Sequence, residues 1–295
     1  MNTEAFWKNK KNLKEFEITP EISKKEQEIV KDLEHIFIGI INQVPKNKRI
    51  GVLFSGGIDS TLISYLLKKL GYIFTCYTVA FTNSSLETSK DLVSAKKIAK
   101  SLDFKLRVIE LKINQIPKYI KKITSLIKNP DVVKVGVALA VYPAMLQAQK
   151  DKVELIFSGI GSEEIFAGYE RHSISKNIKQ ECLNGLKCLY SRDLQRDFTL
   201  AKSTKLQIMA PFLDKELIKY SLRIPAKYKI VKEQKKVILR KAAISLGLKK
   251  EFAERKKLAA QYGSKMDKAI EKLAKKEKLS KKEYIQSFIS AKAKT

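Results

Sequence analysis

Several things are scarce in this chain, and each scarcity removes an option. Cysteine occurs three times, and Cys76, Cys182 and Cys188 show neither metal-ligand spacing nor an even disulfide set. They read as free thiols in a reducing compartment. No CxxC pair is present, which argues against sulfur-handling chemistry. No run of eighteen apolar residues occurs, so no membrane span is expected. The opening "MNTEAFWKNKKNLKEFEITP" mixes acids with lysines and lacks an apolar core, so it does not read as a secretory signal. The expected location is cytoplasmic. Internal repeats and low-complexity linkers are also missing.

Acids are few against bases: 31 Asp and Glu stand beside 59 Lys and Arg, a net charge of +28. The lysines gather in "KNKKNLK", "PKNKR", "ERKK" and "AKKEKLSKKEY" rather than in one tail. A solvated lysine-rich surface explains this, and so does a surface for RNA or another polyanion. The clusters lack interleaved aromatics and an RNA-binding motif, which favours the solvated surface.

Hydrophobic periodicity divides the rest. Residues 22–44 place apolar groups at helical spacing, with Pro45 closing the helix. "IGVLF" (50–54) is short, apolar and β-branched, a buried strand. Leu62, Ile63, Leu66, Leu67 and Leu70 form one helix face, stopped by Gly71. Strands follow at 72–81, 105–112 and 153–158, separated by helices at 88–104, near 114–128 and at 133–149. Strands alternating with helices of this length imply parallel pairing and a doubly wound α/β sheet, with ligands beyond the C-terminal strand ends. From about residue 172 the strand pattern disappears, and a C-terminal helical lobe is expected. The division is therefore an N-terminal helical segment (1–48), an α/β core (49–171) and the lobe (172–295).

Between the first strand and its helix stands "SGGIDS" (55–60). A glycine pair after a strand lets successive backbone N–H groups converge on an anion, and the positive end of the following helix adds to the pull. Ser55 and Ser60 offer hydroxyls to phosphate oxygens. Asp59 would repel phosphate, and makes sense as a Mg²⁺ ligand that bridges to it. The pattern is neither a Walker loop nor the dinucleotide fingerprint. "LIFSGIGSEEIFAGYERH" (155–172) repeats the layout: apolar strand, Ser158-Gly159, a further glycine, then Glu163 and Glu164. Two such turns on neighbouring parallel strands would face one crevice, an arrangement suited to a nucleoside triphosphate and a magnesium ion.

These stretches resemble a known family. "FSGGIDS" is similar to the pyrophosphate loop of N-type ATP pyrophosphatases. "SGIGSEEIFAGY", "APFLDKELIKYSLRIP" and "KKVILRKAA", in that order, resemble the synthetase domain of asparagine synthetase and its β-lactam synthetase relatives. The likeness runs from about residue 35 to 265, and is nearest to the asparagine synthetase domain-containing subgroup. It implies an adenine-nucleotide α-hydrolase-like fold and an ATP-dependent ligase that activates a carboxylate as acyl-adenylate and passes it to an amine. Carried over by position, Ser55, Gly56, Gly57 and Ser60 would cradle pyrophosphate. Asp59 and Glu163 would hold Mg²⁺. Backbone groups at Phe54 and Val79, with Ser158 and Gly159, would hold adenosine. Lys236 would stabilise charge developing on the phosphates. Glu163 is longer than the family's usual aspartate.

Three departures bear on the reaction. Residue 2 is Asn where glutamine-dependent members carry a nucleophilic cysteine, so the chain is not expected to hydrolyse glutamine. It would take ammonia or another amine, or receive it from a separate glutaminase partner. The glutamate expected between the glycines of the second turn is Ile160, and Glu164 is the candidate to take over its role. Gln207 and Met209 replace a charged pair ahead of "PFLD". Two rivals remain: a tRNA-modifying pyrophosphatase that uses the basic surface, and a non-catalytic nucleotide-binding scaffold. Among other residues, His172 reads as structural more than functional, and Arg192, Asp193, Arg196 and Asp197 as an ion-paired helix face. Trp7 reads as a docking residue, and "QYGSK" (261–265) as a segment that could close over the nucleotide.

Overall fold

A computed structural model describes residues 4–16, 20–82, 89–255 and 260–290. Helix α1 (Glu26–Asn42) leads into strand β1 (Ile50–Leu53), helix α2 (Ile58–Lys69) and strand β2 (Phe74–Phe81). Helix α3 (Lys90–Ser101), capped by the Ser89 hydroxyl, precedes β3 (Leu106–Leu111). Thr88, the expected start of that helix, and the lysines at 256 and 257 lie outside the described residues. Helices α4 (Ile116–Leu126) and α5 (Val132–Lys150) then lead to β4 (Leu155–Phe157).

The sheet has five strands in the order β3-β2-β1-β4-β5, all parallel. Its fifth strand, β5 (Gln207–Met209), corrects the expectation that strands end near residue 172. It comes from "QIM", is three residues long, and has no partner strand on its outer side among the described residues, so it carries no apolar run that periodicity could detect. A second departure is a two-strand hairpin pairing Ile230–Val231 with Gln234–Lys235.

Alternating side chains of the central strands feed two cores. Val52, Cys76, Leu155 and Phe157 join one, with α1, α2 and much of the C-terminal half. Tyr77, Val79 and Ile156 join the other, beneath α4 and α5. Val52, Ile156 and Phe157 are wholly buried, and each such side chain contributes about 1.5–3 kcal/mol. Strands as short as β4 are held by that burial more than by their few ladder bonds. Helix α5 alone among the described helices is long and apolar enough to cross a bilayer, but it packs into the second core through Val135, Leu139, Tyr142 and Met145.

The N-terminal segment is bound to the C-terminal half as well as to the chain that follows it, where the Tyr72 hydroxyl donates to the Ile41 and Val44 carbonyls. Ile22 N–H donates to the Arg223 carbonyl at 2.9 Å, and Lys241 pairs with Glu26 at 2.6 Å. Trp7 is fully buried, edge-on to Phe6. Burial pushes the Cys76 thiol up to about 12, and Ser64 is its polar neighbour, so this cysteine is an inert core residue.

Strand order reverses between β1 and β4. That places the turns after both strands side by side, at the topological switch point where α/β sheets bind ligands.

Candidate functional site

The first turn is set by its own serines. The Ser55 hydroxyl accepts from Gly57 N–H at 3.3 Å, while the Ser60 hydroxyl accepts from Ser55 N–H and donates to the Gly57 carbonyl, both at 3.3 Å. These are long bonds, which an anion could replace. Gly56 has φ of +66°, and a Cβ there would meet the backbone of Ala95 at 3.0 Å. Only glycine lets the turn fold this closely onto α3.

Asp59 lies in the first turn of α2 and is buried. The second turn approaches so near that a Cβ on Gly159 would lie 2.8 Å from the Asp59 Cβ. The short helix Ser162–Ile165 follows and carries Glu163 and Glu164 in one turn. They face different partners.

Glu163 turns towards Asp59, and Lys236 joins them. The Lys236 ammonium donates to Asp59 Oδ1 at 2.8 Å, Asp59 Oδ2 at 3.0 Å and Ser162 Oγ at 2.9 Å, and pairs with Glu163 Oε1 at 2.8 Å. Burial disfavours the charge on Lys236, but Asp59 and Glu163 outweigh it and the pKa is raised. The Glu163 side chain is 27% exposed against 3% for Asp59, so Glu163 is the acid that solvent and solutes reach. Two carboxylates on hard oxygen donors fit magnesium, which binds through one or two carboxylates plus substrate phosphates. Among the described residues no group of three or more His, Cys, Asp or Glu forms a metal cage.

Glu164 is buried and turns the other way. It accepts from the Tyr169 hydroxyl at 2.9 Å and pairs with Arg192. Desolvation raises its pKa against the pull of Arg192. Arg192 also pairs with Asp193 at 2.5 Å, and the buried Arg196 bridges Asp193 at 3.2 Å and Asp197 at 2.7 Å. These four residues are ion-paired as expected, and the helix face they form lines a cleft. Arg192 and Asp193 lie in a π-helical turn, Tyr190–Leu194, a distortion found often at functional sites, and Arg196 and Asp197 in the α-helix Gln195–Ser203 that follows.

A cleft of about 690 Å³ runs between these groups. Its walls include Phe54, Ser55, Asp59, Ser60, Val79, Ser158, Gly159, Glu163 and Glu164, all singled out in the sequence. Gly56 and Gly57 form the turn behind that wall, and Lys236 lies beneath the two acids. Ile160 lines the cleft beside Glu164 and offers no polar atom from its side chain. Ala260, Gln261 and Ser264 line it as well, and Phe81 N–H donates to the Ser264 carbonyl at 3.0 Å, so "QYGSK" is packed on the end of β2. His172 is absent from the wall. It is buried, its Nδ1 accepts from Tyr169 N–H at 3.0 Å, and burial with Arg171 nearby lowers its pKa to about 4.

Sequence reasoning missed Asp91 and Arg255. The Arg255 guanidinium donates to the Gly56 carbonyl at 3.0 Å and pairs with Asp91 at 2.8 Å, tying the first turn to α3. In the sequence Arg255 is hidden within the basic cluster "ERKK".

The chain matches the asparagine synthase family over residues 40–184 and 174–293. It is 31% identical over 82% of its length to a putative glutamine-hydrolysing asparagine synthetase of Methanocaldococcus jannaschii, of which it covers 51%. It is 28% identical over 63% of its length to the glutamine-hydrolysing asparagine synthetase of Gallus gallus, of which it covers 34%. The chain thus spans about half the length, or less, of these curated relatives. Solved structures similar to it include NMN synthetase from Francisella tularensis, with a TM-score of 0.35 and 15% identity, covering 88% of this chain and 98% of that one. The sequence match extends over most of the chain and takes in both strand-end turns and the helix that begins after Lys236, so the chain belongs to the asparagine synthase family.

Proposed function

We propose that this chain is an ATP-dependent amide ligase that forms AMP and pyrophosphate. The observation that carries the reading is the junction at the switch point, where Asp59 after β1 and Glu163 after β4 meet at Lys236.

The carboxylate oxygen of the acceptor attacks the α-phosphorus of ATP, the bond from that phosphorus to the bridging oxygen breaks, and pyrophosphate leaves. The amine then attacks the acyl carbonyl, its proton passes to a base, and AMP leaves with the former carboxylate oxygen. Backbone N–H groups of residues 55–60, with the Ser55 and Ser60 hydroxyls, bind the pyrophosphate end. Phe54, Val79, Ser158 and Gly159 bound the cleft where adenosine would lie. Magnesium, held by Asp59 and Glu163, would screen the charge of the triphosphate when bound. Lys236, beneath both acids, is placed to offer positive charge as the phosphates part.

The acceptor side of the cleft is the Glu164–Tyr169–Arg192–Asp193 wall. Glu164 is the group there whose raised pKa suits it to exchange a proton, whereas Ile160 can take none. The carboxylate and amine are small molecules, and the nitrogen would come as ammonia or another amine, free or passed on from a separate glutaminase. The test is to incubate the protein with ATP, Mg²⁺ and a panel of carboxylates and identify the nucleotide product. AMP appearing with a particular carboxylate supports the reading, and ADP overturns it.

A further inference from the structure

Lys236 does more than sit near two acids. Its ammonium occupies the space between them and makes four contacts of 2.8–3.0 Å with Asp59, Ser162 and Glu163. The residue is 4% exposed, and its backbone is held in the left-handed region at φ 57° where the following helix starts. Gly168 closes the far side: a Cβ there would overlap both the Glu163 carboxylate and the Lys236 side chain. Arg240, one turn further along the same helix, adds positive charge at longer range, its own hydrogen bonds going to the Lys235 and Ala253 carbonyls.

Two carboxylates, the ammonium between them and the more distant guanidinium leave little net negative charge in the pocket. A divalent ion arriving alone would add two positive charges to a buried place that already has its counter-ions, at a desolvation cost with no gain to offset it. A triphosphate arriving with the ion carries the negative charge that is missing, and gives the displaced ammonium a new anion to face. Building on the nucleotide reading above, we propose that Lys236 is a gate on the cation site, which admits a divalent ion only together with a polyphosphate.

The readout is Mn²⁺ retained with the purified full chain in equilibrium dialysis, counted by electron paramagnetic resonance after acid release, with and without the non-hydrolysable α,β-methylene-ATP. Because the analogue chelates Mn²⁺ by itself, only Mn²⁺ in excess of the protein-free side counts as bound. Wild type should take up Mn²⁺ at least about tenfold more tightly with the analogue than without it. Lys236→Met should bind Mn²⁺ alone at least about tenfold more tightly than wild type, a modest demand against the cost of crowding buried like charges. Adding Asp59→Asn to that variant should remove the new site. Circular dichroism establishes that each variant is folded. If Lys236→Met does not fold, Lys236→Gln, which removes the charge but keeps a polar side chain, takes its place with the same expected gain.

A tight site for Mn²⁺ alone in wild type, lost in Asp59→Asn, would overturn the gate. So would a folded Lys236→Met with wild-type Mn²⁺ affinity. If wild type bound no analogue while Lys236→Met gained Mn²⁺, Lys236 would stand as the block on the cation site, while the polyphosphate as its release and the nucleotide reading would both fail.

Discussion

Lys236 and Asp59 stand 177 positions apart, yet the ammonium of one donates to both oxygens of the other, at 2.8 and 3.0 Å, with neither exposed. The pair joins the helical half of the chain to the end of the central strand. It also links stability to chemistry, because the same contact that holds the two halves together positions the charges in the cleft.

Asp59→Asn is expected to destabilise the fold by about 3 kcal/mol, the low end for leaving a buried charge without its partner, since Glu163 still pairs with Lys236. The double variant Asp59→Asn/Lys236→Met should recover part of that loss. Urea unfolding of the two single variants and the double variant measures the coupling. Additive losses would show that the contact carries no energy of its own.

Ile160 predicts a separation between the two half-reactions. Nucleotide binding and adenylation should persist, while ammonia-dependent amide formation from aspartate should be slow, because Glu164, the acid left to exchange the proton, is held by Arg192 and the Tyr169 hydroxyl. Ile160→Glu should raise the amide-forming rate, general acid–base help being commonly worth about 10²–10⁴-fold. Rapid quench with separate measurement of AMP and amide checks this. Efficient asparagine formation by the unmodified chain would mean that Glu164 serves as the base, and Glu164→Gln should then abolish it.

His172 predicts a pH dependence of stability. Its folded pKa of about 4 lies below the ordinary 6.5, so the unfolded chain takes the proton first. The contribution is fully present above about pH 6.5 and is lost as pH falls through about 4. His172→Gln should flatten that part of the stability curve. Urea unfolding at about pH 7.5 and about pH 5, wild type against variant, reads it. Parallel losses in both proteins would contradict the burial of a neutral imidazole.

Trp7 tests the docking of the N-terminal segment. Removing so large a buried side chain costs about 3–5 kcal/mol, and Trp7→Ala should fall in that range. Trp7→Phe should cost much less, because the indole N–H is buried with no hydrogen-bond partner among the described residues. A mild effect of the alanine change would mean that the segment docks without its aromatic anchor.

The parts of the fold that the sequence reveals are those whose cause is local. "IGVLF" and "VELIFS" are buried on both faces and so are continuously apolar, and each ends in a glycine turn whose anion chemistry needs no distant residue. β5 was not legible because three residues on a sheet edge carry no periodic signal. The Arg192–Asp197 wall was misread for a different reason. Alternating charges look alike on a solvated face and on a cleft wall, and only the packing of the folded chain distinguishes the two. Arg255 is one basic residue in a cluster, and its selection by Asp91 and the Gly56 carbonyl depends on a chain fold that spacing does not encode.

The central claim is that a carboxylate is activated at the α-phosphorus of ATP. Its most direct test is the fate of ¹⁸O supplied in both carboxylate oxygens of the accepted substrate, followed by ³¹P NMR of the products. The account predicts one ¹⁸O in AMP, none in pyrophosphate, and no transfer in Asp59→Asn. Label in inorganic phosphate with ADP as the nucleotide product, or AMP free of label, would contradict it.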